Sequence, residues 1–444
     1  MTRQYFGTDG IRGNVGDDPM TADFAMRLAS SAAQVLVPAG GTVVIGKDTR
    51  LSGYMFESAL EAGFVAAGAD VLLIGPLPTP GIARLTQEFD ADLGVVISAS
   101  HNVYSDNGIK FFDRSGSKLT DDIERQIEAH LKNPAITLDS QHLGKAKRID
   151  TARIRYQEFC EASIPAGVEL VGLKVVFDGA NGAGYKVGPR TLGSLGAEVI
   201  PIGCSPNGKN INDGCGSTEP DLLQRTVPAL RADVGVALDG DGDRLVMVDE
   251  NGQLLDGDQL LYIMALDRHS SGELTGPVVG TVMSNLGLEK ALQERNIEFI
   301  RAQVGDRYVL EVLRETGGMI GGETSGHMIV LDKATTGDGL ICALQVLAIM
   351  KKSGKRLSEL VAGMRKFPQT LVNVRTESRL ELDSSTEIQA ATASAEAELA
   401  DTGRIVLRAS GTEPVIRVMV EGEDHDQVVS IANRLAAVVA DAAA

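Results

Sequence analysis

Three short apolar runs each end in a glycine-rich or polar loop, and this habit constrains the fold more than any other feature of the chain. Leu93 to Ile97 runs into Ser98-Ala99-Ser100-His101-Asn102. Lys174 to Phe177 runs into Asp178-Gly179-Ala180-Asn181-Gly182-Ala183-Gly184, and Val234 to Leu238 into Asp239-Gly240-Asp241-Gly242-Asp243-Arg244. Runs this short, apolar and β-branched read as buried strands. Helical stretches fall around them: Thr21 to Val37 with Thr21 as N-cap, Ser52 to Ala67, Tyr185 to Leu195 and Pro220 to Arg231. Strands alternating with helices predict α/β units with parallel or mixed sheets. No countable sequence repeat accompanies the habit.

A chain of 444 residues exceeds one hydrophobic core. Its pattern divides into units at 1–150, 151–253, 254–367 and 368–444. The last unit breaks the alternation. Strands are expected at Leu371 to Arg375, Ile405 to Arg408 and Val415 to Val420, with helices at Thr386 to Leu399 and His425 to Ala440. That is an α+β pattern. A net charge of -18 argues against nucleic-acid and anionic-membrane partners. An anionic substrate would need basic residues that converge locally. The first ten residues hold no apolar segment, so no secretory signal is expected. No run approaches the length of a membrane span. Cys160, Cys204, Cys215 and Cys342 show no C-x-x-C spacing, which predicts free thiols in a reducing, cytoplasmic setting.

The loops carry chemistry. Ser100 is the candidate nucleophile, with His101 beside it and Lys110 at the start of the apolar exit run Ile109 to Phe112. In an extended chain Asp239, Asp241 and Asp243 point the same way, and three converging carboxylates call for a cation. Hard oxygen ligands suit Mg²⁺. The spacing also resembles the start of a calcium EF-hand loop, but Arg244 stands where that loop needs glycine. Arg408-Ala409-Ser410-Gly411-Thr412-Glu413-Pro414, with Arg417 further on, offers paired guanidinium donors, hydroxyls and an exposed amide to a phosphate. Gly322-Glu323-Thr324-Ser325-Gly326-His327 pairs an acceptor with a donor, which suits sugar hydroxyls. Phe6 to Gly13 and Gly46 to Arg50 add Arg12, Lys47 and Arg50. Read alone, each loop is also an ordinary turn.

Taken together and in chain order, these motifs resemble the α-D-phosphohexomutase family over essentially the whole chain. Phe6 to Gly13, Cys215 to Thr218, Val304 to Tyr308 and Ala334 to Gly339 resemble the branch that acts on glucosamine phosphates. The resemblance implies three similar α/β domains with mixed sheets and a C-terminal α+β domain resembling the TATA-binding-protein fold, around a central cleft. It implies that Ser100 is a phosphoserine, and that Ser100, through its phosphate, and Asp239, Asp241 and Asp243 hold Mg²⁺. It assigns Glu323, Ser325 and His327 to the sugar, and Arg408, Ser410, Gly411, Thr412 and Arg417 to the non-reacting phosphate. Arg12, His101, Lys110 and Arg244 would flank the transfer site, with Lys110 as proton acceptor if Arg244 depresses its pKa. Asp306 stands where glucose- and mannose-phosphate relatives carry a different stretch, and would face the 2-ammonium of glucosamine.

The implied activity interconverts glucosamine 6-phosphate and glucosamine 1-phosphate through a 1,6-bisphosphate, feeding UDP-N-acetylglucosamine and cell-wall synthesis. The implied partners are the hexosamine phosphate and its bisphosphate, with no nucleic acid or membrane, and the resemblance suggests a homodimer. Phosphoglucomutase or phosphomannomutase activity, a Mg²⁺-dependent phosphatase and a non-catalytic sugar-phosphate binder remain the competing readings.

Overall fold

The computed structural model describes residues 3–376, 385–409 and 415–443, and its strands form four sheets. In the first, the order is Ile11–Asn14, Asp106–Asp113, Leu93–Ile97, Thr42–Lys47, Asp70–Pro76, Ala146–Arg148. Thr42–Lys47 pairs in parallel with both neighbours, while Asp106–Asp113 is antiparallel to both of its own. The second sheet runs Leu254–Leu255, Leu245–Val248, Val234–Leu238, Lys174–Asp178, Glu198–Ile202. The third runs Phe299–Ala302, Val278–Thr281, Ile320–Gly322, Met328–Val330. These sheets are mixed, as the alternating pattern predicts. The fourth, Gln369–Arg375, Val415–Gly422, Gly403–Ala409, is wholly antiparallel.

One rule places four of the loops that the sequence singles out. Each joins a strand to its antiparallel neighbour: Leu93–Ile97 to Asp106–Asp113, Val234–Leu238 to Leu245–Val248, Ile320–Gly322 to Met328–Val330, and Gly403–Ala409 to Val415–Gly422. Antiparallel partners can be joined by a short loop, whereas parallel ones need a crossover. The short loop is anchored by ladder hydrogen bonds on both sides.

Helix ends follow local chemistry. The Thr21 side chain accepts from Phe24 N and caps Ala22–Leu36. Asp256 and Gln259 form a capping box on Gly257–Ser271, a helix absent from the sequence expectation although the box was written in it. Asp121–His130 was missed as well. The chain from Asp106 to Gly108 has turn composition, yet it opens a strand because Ile11–Asn14 pairs with it. A Cβ on Gly108 would meet Ser98 O at 2.6 Å, so this strand position requires glycine.

Gly339–Ser353 is buried on nearly every side from Leu340 to Met350, as expected for a helix that is apolar all round. It packs against Ala152–Glu161, Leu245–Val248 and Gly257–Ser271, tying the second sheet to the third. All four cysteines are free. Among the described residues, no helix is long and apolar enough to cross a membrane.

The fourth sheet docks on the third unit through Arg404 and Glu421. Arg404 Nε donates to Glu421 Oε1 at 2.8 Å, and its two terminal nitrogens donate to Val282 O and Ser284 O at 2.8 and 2.6 Å. Glu421 also accepts from Leu286 N. Its side chain is fully buried. Arg404→Ala leaves that carboxylate without its cation, so stability should fall by about 3 kcal/mol. Urea unfolding would measure it, with the 368–444 segment melting before the rest; an unchanged midpoint would show that the pair does not hold this sheet in place.

Candidate active site

Ser100 sits on the first hairpin loop in a left-handed conformation, φ 50°, and is almost fully buried. Its Oγ donates to Asp239 Oδ2 at 2.6 Å, and His101 Nδ1 lies 3.3 Å away. The carboxylates of Asp239, Asp241 and Asp243 converge, as the sequence suggests, but not by strand alternation. Gly242, φ 73°, closes a turn in which its N–H donates to Asp239 O at 3.1 Å, and this turn gathers the three side chains.

Oxygens of these three carboxylates lie within 4.8 Å of one another, and the three residues are at most 5% exposed. Asp241 Oδ1 and Asp243 Oδ1 have no hydrogen-bond partner among the described residues. Burial, then Asp243 and Asp241, push the Asp239 carboxyl well above its ordinary range. Buried acceptors with free lone pairs and mutual repulsion fit a hard divalent cation. The residues present therefore suit Mg²⁺.

Lys110 corrects an expectation. Its Nζ is 2.9 Å from Asp241 and from Asp9, and 3.9 Å from Asp243. Burial lowers its pKa, but Asp241, Asp9 and Asp243 outweigh that and raise it. Arg244 does not depress it into the range of a base. Asp241 is pulled down in turn: burial opposes ionisation, and the Lys110 ammonium overcomes it.

A cavity of about 480 Å³ opens beside Ser100. Arg12, His101, Asp243, Arg244, Glu323 and His327 line it, together with Asp9, Lys118 and Asp306. Burial, then Arg244 and Arg12, lower His101 to about 4, so its imidazole is neutral. His327 goes the other way. Burial lowers it, but Asp243 at 3.6 Å and Asp306 at 3.5 Å raise it to about 9. Glu323 Oε1 accepts from Gly305 N at 2.9 Å. Ser325 is exposed and outside the cavity wall.

Two members of the wall were missed. Asp9 takes Arg12, Lys110 and Lys118, and Lys118 bridges Asp9 at 2.5 Å and Asp306 at 2.6 Å. Asp9 lies in the Phe6-to-Gly13 loop, whose sequence signal is its one basic residue, Arg12. Lys118 sits in no motif, and nothing short of the fold reveals it.

Arg408 and Arg417 stand directly opposite in the antiparallel ladder of the fourth sheet. Burial and then Arg417 lower the Arg408 pKa, while Glu323 raises it. Arg408 Nε has no partner among the described residues. Two opposed cations favour an anion between them. Ser410, Gly411 and Thr412 lie outside the described residues.

Family profiles match four stretches, described as Phosphoglucomutase/phosphomannomutase alpha/beta/alpha domain I at 3–136, domain II at 156–252, domain III at 256–367 and the C-terminal domain at 371–438. A protein of Methylococcus capsulatus named phosphoglucosamine mutase is 56% identical over 444 residues, covering 100% of this chain and 99% of its own. A Burkholderia thailandensis phosphoglucomutase/phosphomannomutase family protein of known structure is 25% identical, with a TM-score of 0.81 over 98% of this chain and 97% of that one. Aspergillus fumigatus N-acetylphosphoglucosamine mutase, solved with GlcNAc-6P and magnesium, is 18% identical with a TM-score of 0.71 over 100% of this chain and 96% of that one, and is similar in fold.

The two imidazoles give opposite pH signatures in the metal-free, unphosphorylated protein. His327 titrates above the ordinary value, so its stabilising effect is full below about pH 6.5 and fades as pH rises through 9. His101 titrates below it, so stability is lost as pH falls from about 6.5 towards 4. Ring resonances in NMR should titrate near those values. A His327 ring titrating near its ordinary value would refute its place between Asp243 and Asp306.

Proposed function

The chain belongs to the phosphoglucomutase/phosphomannomutase family, and on that premise we propose that it interconverts glucosamine 6-phosphate and glucosamine 1-phosphate. The observation that carries this reading is the seat of Ser100. A mounted serine lies 2.6 Å from a buried three-carboxylate cluster, beside a cavity with polar groups for a sugar. The 56% identical phosphoglucosamine mutase supports the choice of sugar over glucose or mannose phosphates.

Phosphorylated Ser100 gives its phosphoryl group to the 1-hydroxyl of glucosamine 6-phosphate. The Oγ–P bond breaks, a bond from the sugar oxygen to phosphorus forms, the hydroxyl proton passes to a base and Oγ regains a proton. The 1,6-bisphosphate turns in the cavity, and Ser100 then takes the 6-phosphoryl group by the same exchange in reverse. Arg12 and Arg244 face the transferring group with their guanidinium charges, and Lys110 adds its ammonium. His101, whose neutral imidazole lies 3.3 Å from Ser100 Oγ, is the nitrogen base beside it. Mg²⁺, held by Asp239, Asp241, Asp243 and the Ser100 phosphate, would neutralise charge on that group.

We assign Glu323 and His327 of the cavity wall, with Ser325 of the same sequence motif, to the sugar, and Arg408 and Arg417, with Ser410, Gly411 and Thr412 of that motif, to the phosphate that is not reacting. This second grip argues against a phosphatase, which has no need to hold both ends of a bisphosphate. Asp306 lines the same cavity, but its Oδ2 already binds Lys118, so the 2-ammonium competes with that lysine. We place the protein in the cytoplasm as a homodimer, feeding amino-sugar nucleotide synthesis. Sedimentation equilibrium giving a monomer mass would remove the dimer.

The deciding experiment follows ³¹P NMR of the phosphorylated protein with Mg²⁺ and glucosamine 6-phosphate. Glucosamine 1-phosphate should form faster than the products from glucose or mannose 6-phosphate. Release of inorganic phosphate alone would establish the phosphatase instead. Lys110→Ala removes that ammonium and should lower turnover about 100-fold or more with Mg²⁺ affinity kept; full turnover would take Lys110 out of the mechanism.

A further inference from the structure

Ser100 holds a left-handed backbone conformation that residues other than Gly, Asn and Asp seldom adopt. Such strain persists only where the surroundings over-determine it. Here both polar backbone atoms of Ser100 are tied. Its N–H donates to Ser98 Oγ at 2.9 Å, and Ser98 Oγ donates to Asp48 Oδ2 at 2.6 Å. Its carbonyl accepts twice: from Arg50 Nη2 at 3.2 Å and from Asn212 Nδ2 at 2.9 Å. The same two donors also reach Asn102 O, Asn212 at 2.9 Å.

These donors come from different parts of the fold. Arg50 follows the strand Thr42–Lys47 of the first sheet, is fully buried and is paired with Asp48. Asn212 belongs to the second unit, is 5% exposed and is itself left-handed at φ 57°. Its N–H donates to Ala180 O at 2.9 Å. The backbone of the acidic turn closes the other side: a Cβ on Gly240 would meet Ser100 O at 2.6 Å. Neither Arg50 nor Asn212 lines the sugar cavity.

We propose that Arg50 and Asn212 are positioning residues for phosphoryl transfer. They pin the Ser100 and Asn102 carbonyls from two units at once, and so aim Ser100 Oγ at the carboxylate cluster. The proposal rests on Ser100 as the phosphoryl carrier. It assigns a role to Gly46-to-Arg50, a motif that the substrate chemistry leaves unexplained. Loss of either donor lets the loop relax, and a reacting atom displaced by about 1 Å loses about 100-fold in rate. Sugar binding should not change, because the cavity wall is untouched.

Two variants of the full chain test this. Asn212→Gly removes both hydrogen bonds and keeps the left-handed backbone at no steric cost. Arg50→Lys keeps a cation for Asp48 but lacks the planar fork that reaches both carbonyls. Each is loaded with phosphoryl groups from glucose 1,6-bisphosphate and assayed with glucosamine 6-phosphate and Mg²⁺. Turnover should fall about 10- to 100-fold with KM and Mg²⁺ affinity within about threefold of the parent. The ³¹P resonance of phosphorylated Ser100 should shift. Parent-like turnover in a folded variant overturns the proposal. So does a loss shared equally by kcat, KM and Mg²⁺ affinity, which would mark a general structural role. If Asn212→Gly does not fold, Arg50→Lys decides alone. Should the parent protein itself take no phosphoryl group on Ser100, the carrier reading fails rather than the positioning.

Discussion

Three carboxylates buried within one turn are the constraint on which the rest of the structure depends. Asp239, Asp241 and Asp243 repel one another in a setting where water cannot screen them. The fold answers with groups from elsewhere in the chain. Lys110 arrives from the first sheet, and Thr79 donates its hydroxyl to Asp241 Oδ2 at 2.8 Å. Within the loop itself, Arg244 N donates to Asp239 Oδ1 at 3.1 Å. From the third unit, Gly339 N donates to Gly242 O at 3.1 Å, at the start of the apolar helix. The acidic turn is thus where the first three units meet, and Ser100 is delivered to it rather than to open solvent.

The hairpin rule explains how one chain presents so many groups to one place. A loop between antiparallel neighbours is short and held at both ends, so its side chains stay where the ladder puts them. The cost is strain and close approach, visible in Ser100 at φ 50° and in the glycines beside it. The local field also departs from the global one. The chain carries -18 overall, yet in the cavity wall Arg12, Arg244, Lys118 and His327 balance Asp9, Asp243, Asp306 and Glu323, and Arg408 lies within electrostatic reach of Glu323.

Much of this was legible in one dimension. The α/β character of the first three units, the α+β character of the last, the Thr21 cap and the strand Val234–Leu238 follow from periodicity and cap chemistry. The three aspartates and Ser100 were legible because their chemistry is written in a contiguous loop. Other features were not. Ile11–Asn14 turns Asp106 to Gly108 from turn into strand by pairing across the chain. Lys118, Arg50 and Asn212 gain their meaning from partners that lie far away in sequence.

By itself the sequence determined the element types, the loops that carry reactive groups and the chemical kind of each loop, since these depend on residues within a turn or two of one another. Only the tertiary structure decided protonation and aim. Lys110 is raised rather than lowered because Asp241 and Asp9 fold against it, and His101 and His327 part in opposite directions because one faces arginines and the other aspartates. The carboxylates converge through a turn rather than along a strand. Coulombic energy falls off with distance through space, not along the chain, so the charge state of each group had to wait for the fold that chose its neighbours.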